Sequence, residues 1–332
     1  MSTEFFTKEV FSKELRTYKL VERNQLAYNP SRINVGSIAL QDIADEVVVS
    51  PLYIVFAVDA SRIDSSYLLR YLKSRPGLKQ VEFNSIGTVR NNLKYDGLCQ
   101  ISVPLPSLEV QRSRVRSLIA LETEIKEGEE TLSKLDVLVK SRFAEMFGDP
   151  VDGKKWASIT LDELCSKLGS GATPRGGKAA YKAEGVPLIR SMNVHNGHFE
   201  WKDLAHIDGN QAEKLKGVTL LKGDVLLNIT GASVARSCLL PDELVGGRVN
   251  QHVSIVRVDQ NRMLPIFLNA VLVSDSYQNH LLDGSKMAGA TREAITKDDL
   301  KKMTVPLPPL ALQQEFADFA AQVDKSRFVV RS

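Results

Sequence analysis

The side chains available for chemistry in this sequence are mostly Arg, Asn, Gln, Ser and Thr in short polar stretches, and each catalytic grouping is incomplete. Asn29-Pro30-Ser31-Arg32 holds half of an Asn-Pro-Pro-aromatic signature that would grip a base swung out of a duplex. Ser31 stands in place of the second Pro and Arg32 in place of the stacking aromatic, and no glycine-rich cofactor loop precedes them. Ala172 to Ala179 contains Gly177-Lys178, but a phosphate-cradling loop also needs an earlier Gly and a following Ser or Thr. Glu124-Ile125-Lys126 has a Glu-x-Lys spacing without an upstream Asp to share a metal ion. His195, His198, His206, His252 and His280 form no i, i+4 ligand pair, and Cys99, Cys165 and Cys238 lie far apart. We therefore expect no catalytic residue, no metal and no cofactor.

What remains suits recognition. Arg, Asn, Gln, Ser and Thr on rigid loops match the donors and acceptors of base edges, while Arg, Lys and small residues approach phosphates. The first half of the chain offers Arg32 and Asn34, then Arg90 and Asn91. The second half offers Thr173, Arg175 and Lys178, then Arg190 and Asn193, then Thr230, Ser233 and Arg236, and finally Thr291 and Arg292. These are the expected DNA-binding residues. An ordinary polar turn accounts for any one of them equally well; the recurrence of Arg90 and Arg292 at matched places favours function.

The elements that must position these residues come from the wider pattern. At 332 residues, with 43% hydrophobic and 25% charged side chains, the chain has material for about two globular domains. Net charge is only +3, which does not by itself announce a nucleic-acid binder. No apolar run approaches the ~18–20 residues of a membrane helix, and the opening MSTEFFTKEVFSKEL lacks the core of an export signal. With three scattered cysteines, a cytoplasmic location away from any membrane is expected.

An internal repeat organises the rest. Val103-Pro104-Leu105-Pro106 and Gln111 recur 202 residues later as Val305-Pro306-Leu307-Pro308 and Gln313. Gly87-Thr88-Val89-Arg90 recurs at the same offset as Gly289-Ala290-Thr291-Arg292. The strand-like run 50–59 matches 250–259 at offset 200, and 25–29 matches 224–228 at offset 199. Strands are expected at these runs, with helices over 65–73 and 264–279. Residues 156–199 have no counterpart in the first copy, whose front end therefore looks missing. Between the copies, Leu118, Leu121, Ile125, Leu132, Leu135, Val139 and Met146 follow a three-four spacing, with Gly128 and Arg142 at the remaining two seam positions. The seam predicts one long pairing helix, weakened at Gly128 by about 1 kcal/mol relative to Ala. The helix beginning at Leu310 is its expected partner.

Taken together, these residues resemble the specificity (S) subunit of bacterial type I restriction-modification systems. Val305-Pro306-Leu307-Pro308-Pro309-Leu310 through Gln313-Gln314 looks like the junction from a target recognition domain into a conserved helix. Lys140-Ser141-Arg142-Phe143-Ala144-Glu145-Met146-Phe147-Gly148-Asp149-Pro150 is similar to the end of the family's central spacer helix. Leu161-Asp162-Glu163-Leu164 through Gly171-Ala172-Thr173-Pro174 resembles the opening of a recognition domain, and the two Gly-x-x-Arg stretches resemble a late loop.

The resemblance implies an α+β fold with two related target recognition domains separated by a coiled-coil spacer helix. The expected bounds are 1–106 for a first domain lacking its front, 107–150 for the spacer, 151–308 for the second domain and 309–332 for a truncated second conserved helix. It also implies a non-catalytic DNA-binding subunit that reads a split double-stranded target and docks methyltransferase (M) subunits, with restriction (R) subunits as further partners. S-adenosylmethionine and ATP chemistry would belong to those partners. The unequal copies suggest a recombining cassette or a second polypeptide that completes the subunit, including self-association through the spacer helices. Two alternatives stand beside this: the detached specificity part of a fused restriction enzyme–methylase, and a coiled-coil scaffold that no longer binds DNA.

Overall fold

The computed structural model describes residues 17–87, 92–153, 155–174, 176–287 and 294–331. The chain divides into two compact units, Met1–Glu127 and Gly128–Ser332. The first contains β1 (Lys19–Glu22), β2 (Leu26–Tyr28), β3 (Ile38–Leu40), β4 (Glu46–Val49), β5 (Ile54–Phe56), α1 (Ser65–Lys73), α2 (Arg75–Phe83) and α3 (Tyr95–Cys99). An unbroken helix α4 (Leu108–Phe147) crosses the boundary between the units. The second unit continues with β6 (Ser158–Thr160), α5 (Leu161–Leu164), β7 (Cys165–Ser170), β8 (Val186–Ile189), β9 (Val194–His195), β10 (His198–Phe199), β11 (Ala205–Ile207) and α6 (Gly209–Lys214). It ends with β12 (Val225–Asn228), β13 (Ser237–Leu239), β14 (Arg248–Val249), β15 (Val253–Val258), α7 (Pro265–Leu272), α8 (Asp275–Met287), α9 (Lys297–Lys302), β16 (Thr304–Pro306) and α10 (Leu310–Arg331).

Both units are built on the same antiparallel core. In the first, β2 lies between β3 and β5, with Leu26 opposite Leu40 and Phe56. In the second, β12 lies between β13 and β15, with Val225 opposite Leu239 and Val256. Side chains alternate across a strand, so Leu26 and Tyr28 enter one cluster with Leu68 and Leu72 while Ala27 faces Val21 and Val49. The second unit buries both faces more thoroughly: Val225 and Leu227 join Phe267 and Leu268, and Leu226 joins Ile189 and Leu244. That two-sided burial is why its strand reads as a continuous apolar run rather than an alternation. β15 also pairs with β7, a strand with no counterpart among the described residues of the first unit.

The repeat extends to single hydrogen bonds. Buried Gln111 accepts from the Asp64 amide at 2.9 Å and donates to the Arg62 and Pro106 carbonyls at 3.0 and 2.8 Å. Buried Gln313 accepts from the Leu264 amide at 2.8 Å and donates to the Arg262 and Pro308 carbonyls at 3.1 and 2.8 Å. Each glutamine therefore ties the start of a long helix to the turn ahead of α1 or α7. The helix expected over 264–279 is two helices, because Ser274 Oγ turns back to the Val271 carbonyl at 2.7 Å. Ser74 interrupts the first copy in the same way, through the Tyr71 carbonyl at 2.6 Å.

Helix α4 stops where Gly148 adopts φ 79° and donates its amide to the Ala144 carbonyl at 2.9 Å, a left-handed cap that favours glycine. Within the second unit, α10 runs antiparallel along residues 128–147 of α4. Arg142 pairs with Glu315 at 2.7 Å, Asp136 with Arg327 at 2.5 Å, and a Cβ on Gly128 would lie 3.8 Å from Val330. The seam is unevenly covered. Leu132, Leu135, Val139 and Met146 are half-buried, whereas Leu118, Leu121 and Ile125 are 44%, 54% and 63% exposed. Phe143 and Phe147, which lie beside the heptad seam, are buried and meet Phe316 at 5.6 and 5.9 Å between ring centres. Among the described residues, no helix is long and apolar enough to cross a membrane.

Candidate nucleic-acid interface

Antiparallel pairing in the second unit brings the end of β7, the end of β12 and the start of β15 to one edge of the sheet: Ser254 is opposite both Ser170 and Leu227. The loops leaving that edge are 171–174, 229–236 and 250–252. β8 adds residues 190–193 to the same edge, since Asn250 donates its amide to the Ile189 carbonyl at 3.0 Å and Asn228 Nδ2 donates to the Ser191 carbonyl at 2.9 Å. Thr173, Arg190, Thr230, Ser233 and Arg236, far apart in sequence, are thereby gathered.

Their local roles differ. Thr173 is exposed and donates its amide to Gln251 Oε1 at 2.6 Å. Thr230 is half-buried, with its Oγ1 2.5 Å from His252 Nδ1. Ser233 and Arg236 are half-buried on a turn closed by Asn228 N to Arg236 O at 2.8 Å, with Ala235 at φ 69°. Arg190 lies with its guanidinium 5.2 Å from the Tyr181 ring centre and donates to the Asp203 carbonyl. Asn193 is a correction. It is fully buried, its Oδ1 accepting from the Arg190 amide at 3.2 Å and its Nδ2 donating to the Glu200 and Lys202 carbonyls at 2.9 and 3.3 Å. Its side chain is spent on closing a loop, not exposed as expected of a base-reading residue.

The matching turn of the first unit, residues 29–37, has the same closure: Asn29 N donates to Ser37 O at 3.0 Å, and Gly36 at φ 87° takes the place of Ala235. Arg32 and Asn34 are both exposed on it. Asn34 borders a hollow of about 390 Å³ with Arg75, Leu78, Lys79 and Glu82. Arg90, Asn91, Arg175, Thr291 and Arg292 lie outside the described residues, as does the side chain of Lys178. Among the described residues, no group of three or more His, Cys, Asp or Glu side chains could hold a metal ion.

Gln251 and His252 belong to this edge although residue type did not single them out. Their signal was positional: a polar triplet, Asn250-Gln251-His252, immediately ahead of an apolar strand where the first copy has Ser50-Pro51-Leu52. Charge is modest throughout. Fully buried Asp224 pairs with half-buried Arg257 at 2.6 and 2.8 Å and also accepts from the Leu221 amide at 2.8 Å, which ties it to the fold.

Fold and edge together define a duplicated α+β protein that presents polar loops from the ends of its sheets and carries a long interconnecting helix. Residues 153–328 match the family described as the type I restriction modification DNA specificity domain. The chain belongs to that family. It is 21% identical over 279 residues to the type I restriction enzyme EcoKI specificity subunit of Escherichia coli, covering 76% of this chain and 57% of that protein. It is also 21% identical over 344 residues to a putative type I restriction enzyme MjaX specificity subunit of Methanocaldococcus jannaschii, covering 96% of this chain and 76% of that one. The crystal structure of a type I restriction-modification S subunit from M. genitalium shares its fold, with a TM-score of 0.62 at 13% identity over 94% of this chain and 79% of that one.

Proposed function

We propose that this chain is the DNA-recognition component of a type I restriction-modification complex, acting in the cytoplasm without catalysis of its own. Each unit reads one part of a split duplex target, and the helical segment docks methyltransferase subunits, with restriction subunits joining the assembly. The observation that carries the reading is the duplication itself. Two copies of one strand core, each locked by an equivalent glutamine, present differently composed loops from equivalent turns at 29–37 and 228–236. A shared frame with divergent loops suits a protein that must hold two different sequences in one geometry. The loop side chains supply the Arg, Ser and Thr donors used on base edges and phosphates.

The test is co-expression with the methyltransferase subunits followed by mapping of modified bases across the host genome. A two-part methylated motif that changes when the 228–236 turn is replaced supports the reading. Methylation indifferent to that replacement removes it.

A further inference from the structure

Three loops of the second unit meet through a chain of side-chain hydrogen bonds whose polarity is fixed at one end. The Thr173 amide donates to Gln251 at 2.6 Å, so the atom facing it is the carboxamide oxygen. Gln251 Nε2 then faces His252 Nε2 at 3.2 Å. A carboxamide nitrogen only donates, which makes His252 Nε2 the acceptor and leaves the ring proton on Nδ1. His252 Nδ1 lies 2.5 Å from Thr230 Oγ1. The threonine oxygen accepts from the ring, and its own proton is left to point away from it.

Backbone contacts hold the chain in place. His252 N donates to Asn250 Oδ1 at 3.0 Å, and Gly171 N donates to the Asn250 carbonyl at 3.0 Å. A Cβ on Gly171 would sit 1.8 Å from the Val249 carbonyl oxygen, so the approach of this loop requires glycine. The first unit has Ser31 and Leu52 at the matched positions, and Ser31 Oγ turns instead to Asn29 Oδ1 at 3.0 Å. Among the described residues, the relay belongs to the second unit.

We infer that Thr230 is a specificity-determining residue whose hydroxyl is locked by His252 as a donor toward an acceptor on a base-pair edge: purine N7, guanine O6 or thymine O4. His252 is a positioning residue that acts through Thr230. This rests on the DNA-recognition reading above. A phosphate oxygen has the same acceptor chemistry but carries no sequence, so the experiment must separate the two.

The full chain is used to select duplexes from a randomised pool, as wild type and as Thr230→Ser, Thr230→Val, His252→Asn, His252→Phe and the Thr230→Val/His252→Phe double variant. Thr230→Val should lose about tenfold preference at one base pair, the effect of a hydrogen bond of about 1.4 kcal/mol, while the rest of the consensus stands. Thr230→Ser keeps the hydroxyl and should keep the preference. His252→Phe should weaken the same base pair, and the double variant should be no worse than Thr230→Val alone. His252→Asn, whose amide nitrogen can replace Nδ1–H, should restore it and covers the case in which the Phe variant fails to fold. A Thr230→Val loss spread evenly over all sequences, with a shallower salt dependence, reassigns the hydroxyl to phosphate and overturns the inference. So does a His252→Phe effect at a different base pair. A wild-type consensus untouched by Thr230→Val removes this inference alone, whereas a wild type that selects no consensus removes the DNA reading with it.

Discussion

Replacing Gln313 by Met would strand three backbone groups that the side chain now serves: the Leu264 amide and the Arg262 and Pro308 carbonyls. An unsatisfied buried group costs about 1–3 kcal/mol, so Gln313→Met should lower unfolding stability by about 2–3 kcal/mol, read as a drop in urea midpoint. Gln111→Met should behave alike if the two glutamines are equivalent in energy as well as in geometry. Cysteine reactivity offers a second check at this scale. Burial pushes the Cys165 and Cys238 thiols up to about 12, while Cys99 is exposed. Native protein at neutral pH should therefore be alkylated by iodoacetamide at Cys99 first, as seen by peptide mass mapping; early labelling of Cys238 would contradict the packing around β13. These residues also show what residue type can convey. The repeat exposed Gln111 and Gln313 as a matched pair but not that both are buried ties. Asn193 fits a base-reading loop and a closed turn equally well by chemistry, and only burial separates them. Thr230 was legible as a polar loop residue, but its partner His252 lies 22 residues away across a sheet edge.

Periodicity makes elements more legible than single residues. The three-four spacing runs from Leu118 to Met146, and α4 spans Leu108–Phe147. It did not show which part of the seam is covered, because a heptad pattern is silent about the length of its partner. Coverage follows from α10, and the energetic centre shifts to rings outside the seam: Phe316 is 1% exposed and meets both Phe143 and Phe147. Phe316→Ala should cost about 3–5 kcal/mol, as aromatic truncation in a packed core does. Leu121, 54% exposed, should shift stability by no more than about 0.5 kcal/mol on truncation to Ala. Thermal melting of the two variants side by side checks the contrast. We propose that the exposed residues Leu118, Leu121 and Ile125 serve helix pairing with a docked subunit or a second copy. Leu121→Lys with Ile125→Lys should then leave melting nearly unchanged while weakening assembly in sedimentation. Equal losses in both measurements would instead make this stretch part of the chain's own fold.

Across the whole molecule, duplication predicts independence. Arg32 in the first unit and Arg236 in the second stand on equivalent turns, each closed by a matching backbone bond, Asn29 N to Ser37 O and Asn228 N to Arg236 O. Their units have separate cores, with Leu26 and Tyr28 in one and Val225 and Leu227 in the other. Substitutions in sites that share no partner combine additively to within about 0.5 kcal/mol. On the proposed reading, Arg32→Ala should relax one part of a two-part target and Arg236→Ala the other. The double variant should lose the product of the two preferences, measured by competition binding against single-base-pair variants of the target at fixed salt. Fixed salt matters, because loss of a phosphate contact weakens all sequences alike and changes the salt slope. If both variants altered the same part of the target, the two turns would not be separate readers. The matched strand registers would then record shared ancestry without a shared task.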